Sequence, residues 1–542
     1  MTADFHDWLP RGPAVALDDG TQTLSFDDLH AYVASATAWL KGSGLSRVAS
    51  LADNGIDWLV ADLAMLQAGI VHVPLPGFFT PAQVAGALRA AGAEGVLLGP
   101  AAPLQMLLAA AQGYSMPGAT TLTTPIAGLD RLQLVLLTPE AKPKLPVGTA
   151  KVTFTSGSTG APKGVCLGAE GLLRVVASVH QATRRLGIRQ HLCALPLAVL
   201  LENTAGAMVA LSKGATVHLR PAAALGWRGA AGFDAALLDG VVRDTGAESL
   251  ILMPQMLRAW TAHLGRGHGE HSGSTQSRGI AGDQDNTDAA DAPDTLRFVA
   301  VGGAAVGAQA ILAARAVGVP AFEGYGLSEG GSVQTLNLPG ADRPGSAGRP
   351  LPHAHIYADE QAQLHVRGNL MLGYIGHPPL ADESLATGDV GEVDADGFVW
   401  VRGRRDNLII TGLGRNVSPE WVESLLRESA CVAEAVVLAD GYGSLRAVVW
   451  PATGAAHTPQ PGHVYAAAKA AVDAAVTATN VLLPDYARLS HWTHACRPLD
   501  AASGLATPSG KPLRAAIAAA HPGPAYQPLD QSLFQPLHET HA

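Results

Sequence analysis

Between residues 23 and 100 helical and strand-like segments alternate, and that rhythm restricts the chain to one broad class of fold. "FDDLHAYVASATAWLKGSG" has helical periodicity and ends in glycine, "RVASLAD" reads as a strand, "DWLVADLAMLQAG" as a helix and "IVHVPL" as a strand. Such alternation builds βαβ units. It continues through "PAQVAGALRAAGAEGVLLG" and "LQLVLLT". Four apolar runs follow, "KVTFTSG", "ATVHL", "ESLILM" and "LRFVAVGG", of the kind buried in mostly parallel sheets. The expected fold class is α/β, with a large N-terminal body of stacked, mostly parallel sheets and their helices.

The 542 residues exceed what one core holds, since single cores stop growing near about 250–300 residues, so at least two domains are expected. From residue 389 the pattern changes to short strands with Gly and Asp turns, "GDVGEVDADGFVWVRGR", then a helix, a hairpin-like pair and another helix. The expected division is a large domain over 1–403 and a smaller α+β domain over 404–542. Residues 265–294 carry almost no large apolar side chains and are dense in Gly, Ser, Asp and His. They are read as a solvated insert, and His263, His268 and His271 in and beside it as loop histidines in preference to metal ligands. The Ala-rich runs near 464–479 and 512–520 read as surface helices.

Charge narrows the function classes. A net charge of −10, without a Lys/Arg-dense run, offers no general attraction for nucleic acid or anionic membrane. Cys166, Cys193, Cys431 and Cys496 are far apart and lack metal-ligand spacing, so neither a disulfide framework nor a zinc site is expected. The start, "MTADFHDWLP", has no basic-then-apolar pattern, and no apolar run reaches about 18 residues. A cytoplasmic protein without an integral membrane segment is expected.

The stretch "VTFTSGSTGAPKGV", residues 152–165, carries the clearest chemistry. Glycines let a backbone approach a phosphate, hydroxyls and exposed amides solvate its oxygens, and Lys163 adds a point charge. A Walker loop is excluded, because Pro162 stands where that motif needs Gly and Gly164 where it needs the Ser or Thr that holds magnesium. On its own residues the stretch is either another type of phosphate loop or a flexible turn.

"TSGSTGAPKG" resembles the signature of the AMP-forming adenylating superfamily, which includes acyl-CoA synthetases, luciferases and peptide-synthetase adenylation domains. Four further stretches follow in that family's order: "EGYGLSE" (323–329), "VRGNLMLGYIG" (366–376), "ATGDVGEVDADGFVWVRGRRDNLIITGLGRNVSPEWVE" (386–423) and "TPSGKPLR" (507–514). The resemblance spans essentially the whole chain and is closest to the long-chain fatty acyl-CoA synthetases. It implies that Thr155, Ser156, Gly157, Ser158, Thr159, Gly160 and Lys163 hold the β- and γ-phosphates of ATP. It places Ser328 at the α-phosphate and Glu329 at magnesium. Tyr325 and Gly326 would lie against the adenine, with Gly302, Gly303 and Ala304 as the other wall; Asp389 would accept from both ribose hydroxyls, and Arg404 would support the sugar and phosphate. Lys511 is implied as the chief catalytic cation, together with Ser328 and Glu329. Asp406 would be the hinge of a mobile small domain, and Gly412 and Gly414 would line the thiol passage. Read without the resemblance, Glu329 is equally a surface acid, Tyr325 a packing residue and Lys511 a solvated lysine at a helix start.

The sequence also departs from the family. "LPLAVLLENTAG" (195–206) is similar to the stretch "LPLAHxxE" of the long-chain enzymes, but Val199 replaces the usual histidine. Val199 and Glu202 are expected at the acyl pocket. "EQAQLH" stands where a Gly-Glu pair is usual, a change expected at a strand edge. The implied activity is ATP- and Mg2+-dependent activation of a carboxylic acid, fatty or related, to acyl-AMP, then thioester formation with CoA. Two alternatives stay open: loading of a separate acyl carrier protein, and a catalytically reduced module that binds nucleotide or acyl ligand.

Overall fold

The computed structural model describes residues 8–100, 121–122, 129–139, 141–155, 163–227, 233–269, 292–411, 416–440, 444–452, 463–507 and 510–522. The chain divides into two compact units, one ending at Asn407 and the other beginning at Leu408.

In the first unit, a nine-stranded sheet has six mutually parallel strands at its centre, Ala321–Leu327, Phe298–Val301, Ser249–Leu252, Gln190–Cys193, Thr216–Leu219 and Val15–Asp18 in spatial order. Antiparallel strands finish both sides: Ser332–Leu336 and Arg349–Pro350 on one, Thr23–Ser25 on the other. An eight-stranded sheet contains the parallel strands Thr149–Thr155, Val71–Pro74, Arg47–Leu51 and Gly95–Leu98. The helix Ile56–Ala68 is buried from Ile56 through Met65 on every side. It lies in a core that draws Leu17, Val217 and Leu219 from the first sheet and Val48, Leu97 and Leu134 from the second, which is why it carries apolar residues on every side, with Asp57 and Asp62 as buried polar exceptions. The helix Phe26–Gly42 packs into the same core, and its start is fixed by Ser25, whose side chain accepts from Asp28 N–H while Asp28 reaches back to the Ser25 backbone.

The sequence reading did not anticipate a third sheet, wholly antiparallel, of Ala354–Ala358, Gln363–Gly368, Ser384–Val393 and Val399–Arg404. It also corrects one expectation: the "EQAQLH" segment supplies Gln363–Gly368, which pairs on both sides and is an inner strand, with Gln363 buried. A second correction concerns the insert. The helix Pro254–Gly269 runs into it, because Met256, Leu257, Trp260 and Leu264 keep a helical stripe against the core up to that point. His263 and His268 are thus helical, and His271 lies outside the described residues.

The second unit has a sheet of Val432–Ala439, Leu445–Pro451 and Leu489–His494, the first pair antiparallel and the second parallel. Successive residues face opposite sides, so Val437, Ala447 and Val449 pack with Val422, Leu426 and Val472 while Val436, Val448 and Trp450 pack with Leu505 and Ile517. Arg514 ties the helix Arg514–Ala520 to Glu420 at 3.0 Å and to Glu423 Oε2 at 3.1 Å. All four cysteines are free, Cys166 and Cys193 being buried. Among the described residues no helix is long and apolar enough to cross a membrane.

Candidate active site

The strands Thr149–Thr155 and Lys163–Gly168 run antiparallel with Thr155 opposite Lys163, so residues 156–162 connect two adjacent strand ends. Ser156, Gly157, Ser158, Thr159 and Gly160 lie outside the described residues, and of Thr155 only the backbone is described. Lys163 opens the returning strand and is exposed; its Nζ stands 5.8 Å from the centre of the Tyr374 ring. Tyr374 sits on the neighbouring strand Gly373–Tyr374, opposite Val165. Its hydroxyl donates to Glu329 Oε1 at 2.9 Å. Glu329 belongs to the single 3-10 turn Ser328–Gly330, and its carbonyl accepts from Met371 N–H at 2.6 Å. Lys163, Tyr374 and Glu329 are thereby brought together, with Ser328 beside Glu329.

The strand Ala321–Leu327 leads straight into that turn and carries Tyr325. The Tyr325 hydroxyl donates to Asp389 Oδ2 at 2.6 Å, and Arg404 Nε meets Asp389 Oδ1 at 3.0 Å. Asp389 and Arg404 face each other across adjacent antiparallel strands, and Arg404 also donates to Thr387 O at 2.9 Å. Burial, then the negative charge of Asp389, pushes the Tyr325 phenol well above its usual range. Burial and Glu329 push Tyr374 the same way, and the Arg404 charge opposes the rise at both phenols, so it acts on both groups of residues.

Gly302, Gly303 and Ala304 follow the strand Phe298–Val301, at the carboxyl ends of the parallel strands, where open α/β sheets bind ligands. A Cβ on Gly302 would come 3.2 Å from Gly324 O, and one on Gly303, whose φ is +85°, 2.9 Å from Met253 Sδ. Gly326 is more constrained still, since a Cβ there would lie 2.2 Å from Ser332 O. Glycine at these positions lets the two segments approach each other and leaves an open, exposed surface at Gly303, Ala304 and Gly326. Glu323, opposite Val301, is half-buried, with its carboxyl turned inward. Its Oε1 accepts from Val306 N–H at 3.3 Å, its Oε2 is buried with no partner, and burial pushes the carboxyl up to about 7.

Val199 is half-buried just before the π-helical segment Leu201–Met208, in the turn closed by its N–H to Pro196 O at 2.9 Å. Glu202 does not join it at a surface. It is 0% exposed, with Oε1 3.0 Å from His191 Nε2 and Oε2 accepting from Leu195 N–H at 3.0 Å, so its carboxylate is spent inside the protein. His191, Cys193 and Glu202 offer N, S and O atoms within 4.8 Å of one another, but hydrogen bonds to Leu195 N–H and Ser249 and between His191 and Glu202 already occupy that cluster. Asp406 is exposed in the 3-10 turn Arg405–Asn407. In the second unit Lys511 is exposed; its N–H donates to Thr507 Oγ1 at 3.0 Å and its carbonyl accepts from Thr507 N–H at 2.8 Å. Gly412 and Gly414 lie outside the described residues.

Residues 7–375 match the AMP-binding enzyme family and residues 406–521 the AMP-binding enzyme C-terminal domain. The chain belongs to the AMP-binding enzyme family. Among relatives of this AMP-binding enzyme, the long-chain-fatty-acid–CoA ligase FadD15 of Mycobacterium bovis is 32% identical over 159 residues, 28% of this chain and 26% of that protein. The 4-coumarate–CoA ligase 5 of Oryza sativa subsp. japonica is 26% identical over 464 residues, 79% of each chain. The o-succinylbenzoate coenzyme A synthetase of Bacillus subtilis, solved in complex with ATP and magnesium ion, shares the fold with a TM-score of 0.67 at 21% identity, over 93% of this chain and 96% of that one. The α/β architecture with a smaller C-terminal domain is that of the adenylating enzymes.

Two features of this AMP-binding enzyme escaped the sequence reading. Tyr374 lies inside a quoted motif, yet nothing local distinguishes its hydroxyl from that of a packed tyrosine. The second is a fully buried polar chain: Ser50 Oγ lies 2.8 Å from His72 Nε2, His72 Nδ1 2.5 Å from Asp62 Oδ1, and Asp62 also pairs with Lys151 at 2.8 Å. Its serine, histidine and aspartate are ordered like a hydrolytic triad, but all are at most 2% exposed, so the chain is a structural one. Its signals in the sequence were polar residues set among apolar ones: Asp62 in "DWLVADLAMLQAG", His72 in "IVHVPL" and Lys151 in "KVTFT".

Proposed function

We propose that this AMP-binding enzyme is an ATP-dependent ligase that converts a carboxylic acid to acyl-AMP and passes the acyl group to CoA. The observation that carries the reading is that one strand and the turn after it, Ala321–Gly330, set Tyr325 with Asp389 and Arg404 and, four residues on, Glu329 with Tyr374 and Lys163. The carboxylate and the α-phosphate are both anionic, so their reaction needs fixed positive charge and alignment of the attacking oxygen with the departing pyrophosphate. Asp389, which has only acceptors, suits two ribose hydroxyls; Arg404 holds it in place. Tyr325, with Gly302, Gly303, Ala304 and Gly326, offers a flat slot for adenine. Lys163 and the loop before it take the leaving phosphates, Ser328 the α-phosphate, and Lys511 the ammonium charge that brings the two anions together.

Glu329 fits magnesium: it is a hard oxygen donor, partly open, and Oε1 alone accepts a hydrogen bond among the described residues. The ion, when bound, neutralises phosphate charge. The acid is a fatty or aryl acid. Val199 in place of a histidine favours an apolar one, while the Glu202 carboxylate is engaged by His191 and Leu195 N–H. Acid-dependent exchange of pyrophosphate into ATP, measured over a panel of fatty and aryl acids, tests the first half-reaction. Release of acyl-CoA with CoA alone, against transfer to a carrier protein, tests the second. Lys511→Ala is expected to abolish the exchange while ATP still binds; exchange at the wild-type rate would remove Lys511 from the chemistry, and no exchange with any acid would overturn the activity itself.

A further inference from the structure

We infer that Tyr374 is a positioning residue that sets the direction of the Glu329 carboxylate and so the avidity of the site for the metal that accompanies ATP. The inference rests on the proposed function. Glu329 is one residue of an isolated 3-10 turn, and a glutamate side chain free to rotate loses up to about 2 kcal/mol of rotamer entropy when it is fixed. One contact fixes the backbone that carries it and a second restrains the side chain itself. The Met371 N–H holds the Glu329 carbonyl at 2.6 Å, and three residues later the Tyr374 hydroxyl holds Oε1 at 2.9 Å. The same short segment therefore grips Glu329 by backbone and by side chain.

The segment is itself fixed to the strand that leaves the Gly/Ser/Thr loop. Leu372 N–H donates to Cys166 O at 2.8 Å, Ile375 N–H to Gly164 O at 2.9 Å, and Gly373 and Tyr374 face Cys166 and Val165 in register. Gly164 admits this approach: a Cβ on it would come 2.5 Å from Ile375 Cδ1. The ring of Tyr374 also lies beneath Lys163 Nζ. One phenol thus joins the first described residue after the loop to the acidic residue, its ring toward the cation and its hydroxyl on the anion. Because the hydroxyl donates to a single oxygen, Oε2 and the remaining lone pair of Oε1 stay available to a ligand. Hydrogen-bonded partners of metal ligands are worth about 10- to 100-fold in metal affinity.

Tyr374→Phe keeps the ring and its packing and removes only the hydroxyl. The measurement is equilibrium binding of ATP by calorimetry at a series of Mg2+ concentrations, and in EDTA. Tyr374→Phe is expected to raise the Mg2+ concentration at half-effect by about 10-fold and to leave metal-free ATP affinity at the wild-type value. In a Glu329→Gln background the same change is expected to add nothing. If Tyr374→Phe does not fold, Tyr374→Leu takes its place: it also leaves Glu329 intact and offers Oε1 no donor, and the same selective shift is expected. An unmoved Mg2+ midpoint, or equal losses with and without Mg2+, overturns the inference while the proposed function stands. A wild-type protein that binds no ATP under any condition overturns both.

Discussion

Glu323 shows how one residue records its surroundings. Its Oε2 is sealed from solvent without a partner, and the single hydrogen bond to Oε1, from Val306, does not offset the loss of water. Burial therefore favours the neutral carboxyl and pushes it up to about 7. The sign follows from proton counting. Between the ordinary carboxylate range and about 7 the folded protein holds a proton that the unfolded chain has released, so stability falls as pH rises through that window and levels off above it. Glu323→Gln cannot lose a proton. In the ligand-free enzyme, denaturant midpoints at pH 5.5 and pH 8 are expected to differ less for the variant than for wild type, with Glu323→Gln more stable at the higher pH by up to about 3 kcal/mol. Equal pH dependence in the two proteins would show that Glu323 is solvated in solution. Its neighbour Tyr325 was readable from the motif they share, "EGYGLSE", whereas nothing in that motif shows that the Glu323 carboxyl turns inward.

At the scale of elements, the Leu201–Met208 segment binds two sheets through two consecutive side chains. Glu202 reaches His191 on the nine-stranded sheet, and Asn203 donates to Asp62 Oδ2 at 2.9 Å and accepts from Lys151, which sits on the eight-stranded one. Gly206 makes the first arrangement possible, since a Cβ there would lie 2.1 Å from Glu202 Oε1. A wider π turn is the form that lets successive residues serve both sheets, and such turns are rare enough to mark a constrained place in a fold. The sequence shows an apolar run, "LPLAVLL", and nothing of this turn, because its cause is the pair of sheets and not local propensity. The first two strands of the third sheet were hidden for a related reason: they are partly exposed, and "AHIYADEQAQLHVRG" lacks the continuous apolar runs by which the parallel strands were found, whereas "GDVGEVDADGFVWVRGR" did read as short strands. The buried charges give a test. Burial alone would raise the Asp62 carboxyl, but Lys151 and His72 outweigh it and hold it far below the usual range. Lys151→Met strands that carboxylate and is expected to cost about 3–5 kcal/mol in denaturant unfolding. Adding Asp62→Leu to it should recover most of the loss; a cost for Lys151→Met alone of under about 1 kcal/mol would mean that water or His72 already neutralises Asp62.

For the whole molecule, what could be read early was what repeats or is spelled in order: the βαβ rhythm, the parallel strands and five ordered motifs, two of which supply Tyr325, Ser328, Glu329, Asp389 and Arg404, all in the first unit. Contacts between residues far apart in sequence, such as Tyr374 on Glu329, could not be, because a hydrogen bond over 45 positions leaves no periodic trace. The border between the units falls after Asn407, one residue beyond Asp406, and the second family match opens at 406. If Asp406 is the pivot between two half-reactions, its backbone angles must change during a cycle while its exposed carboxylate has no chemical duty. Proline separates the two demands, since it fixes φ, restricts the residue before it and removes the N–H. Asp406→Pro is expected to retain acid-dependent pyrophosphate exchange within a few-fold and to lose acyl-CoA formation by at least about 100-fold, the scale on which misplaced reacting groups fail. Asp406→Ala, which leaves φ free, should retain both. Parallel loss of the two half-reactions in Asp406→Pro would instead mean that residue 406 supports the fold of the first unit, and undiminished thioester formation would place the pivot elsewhere.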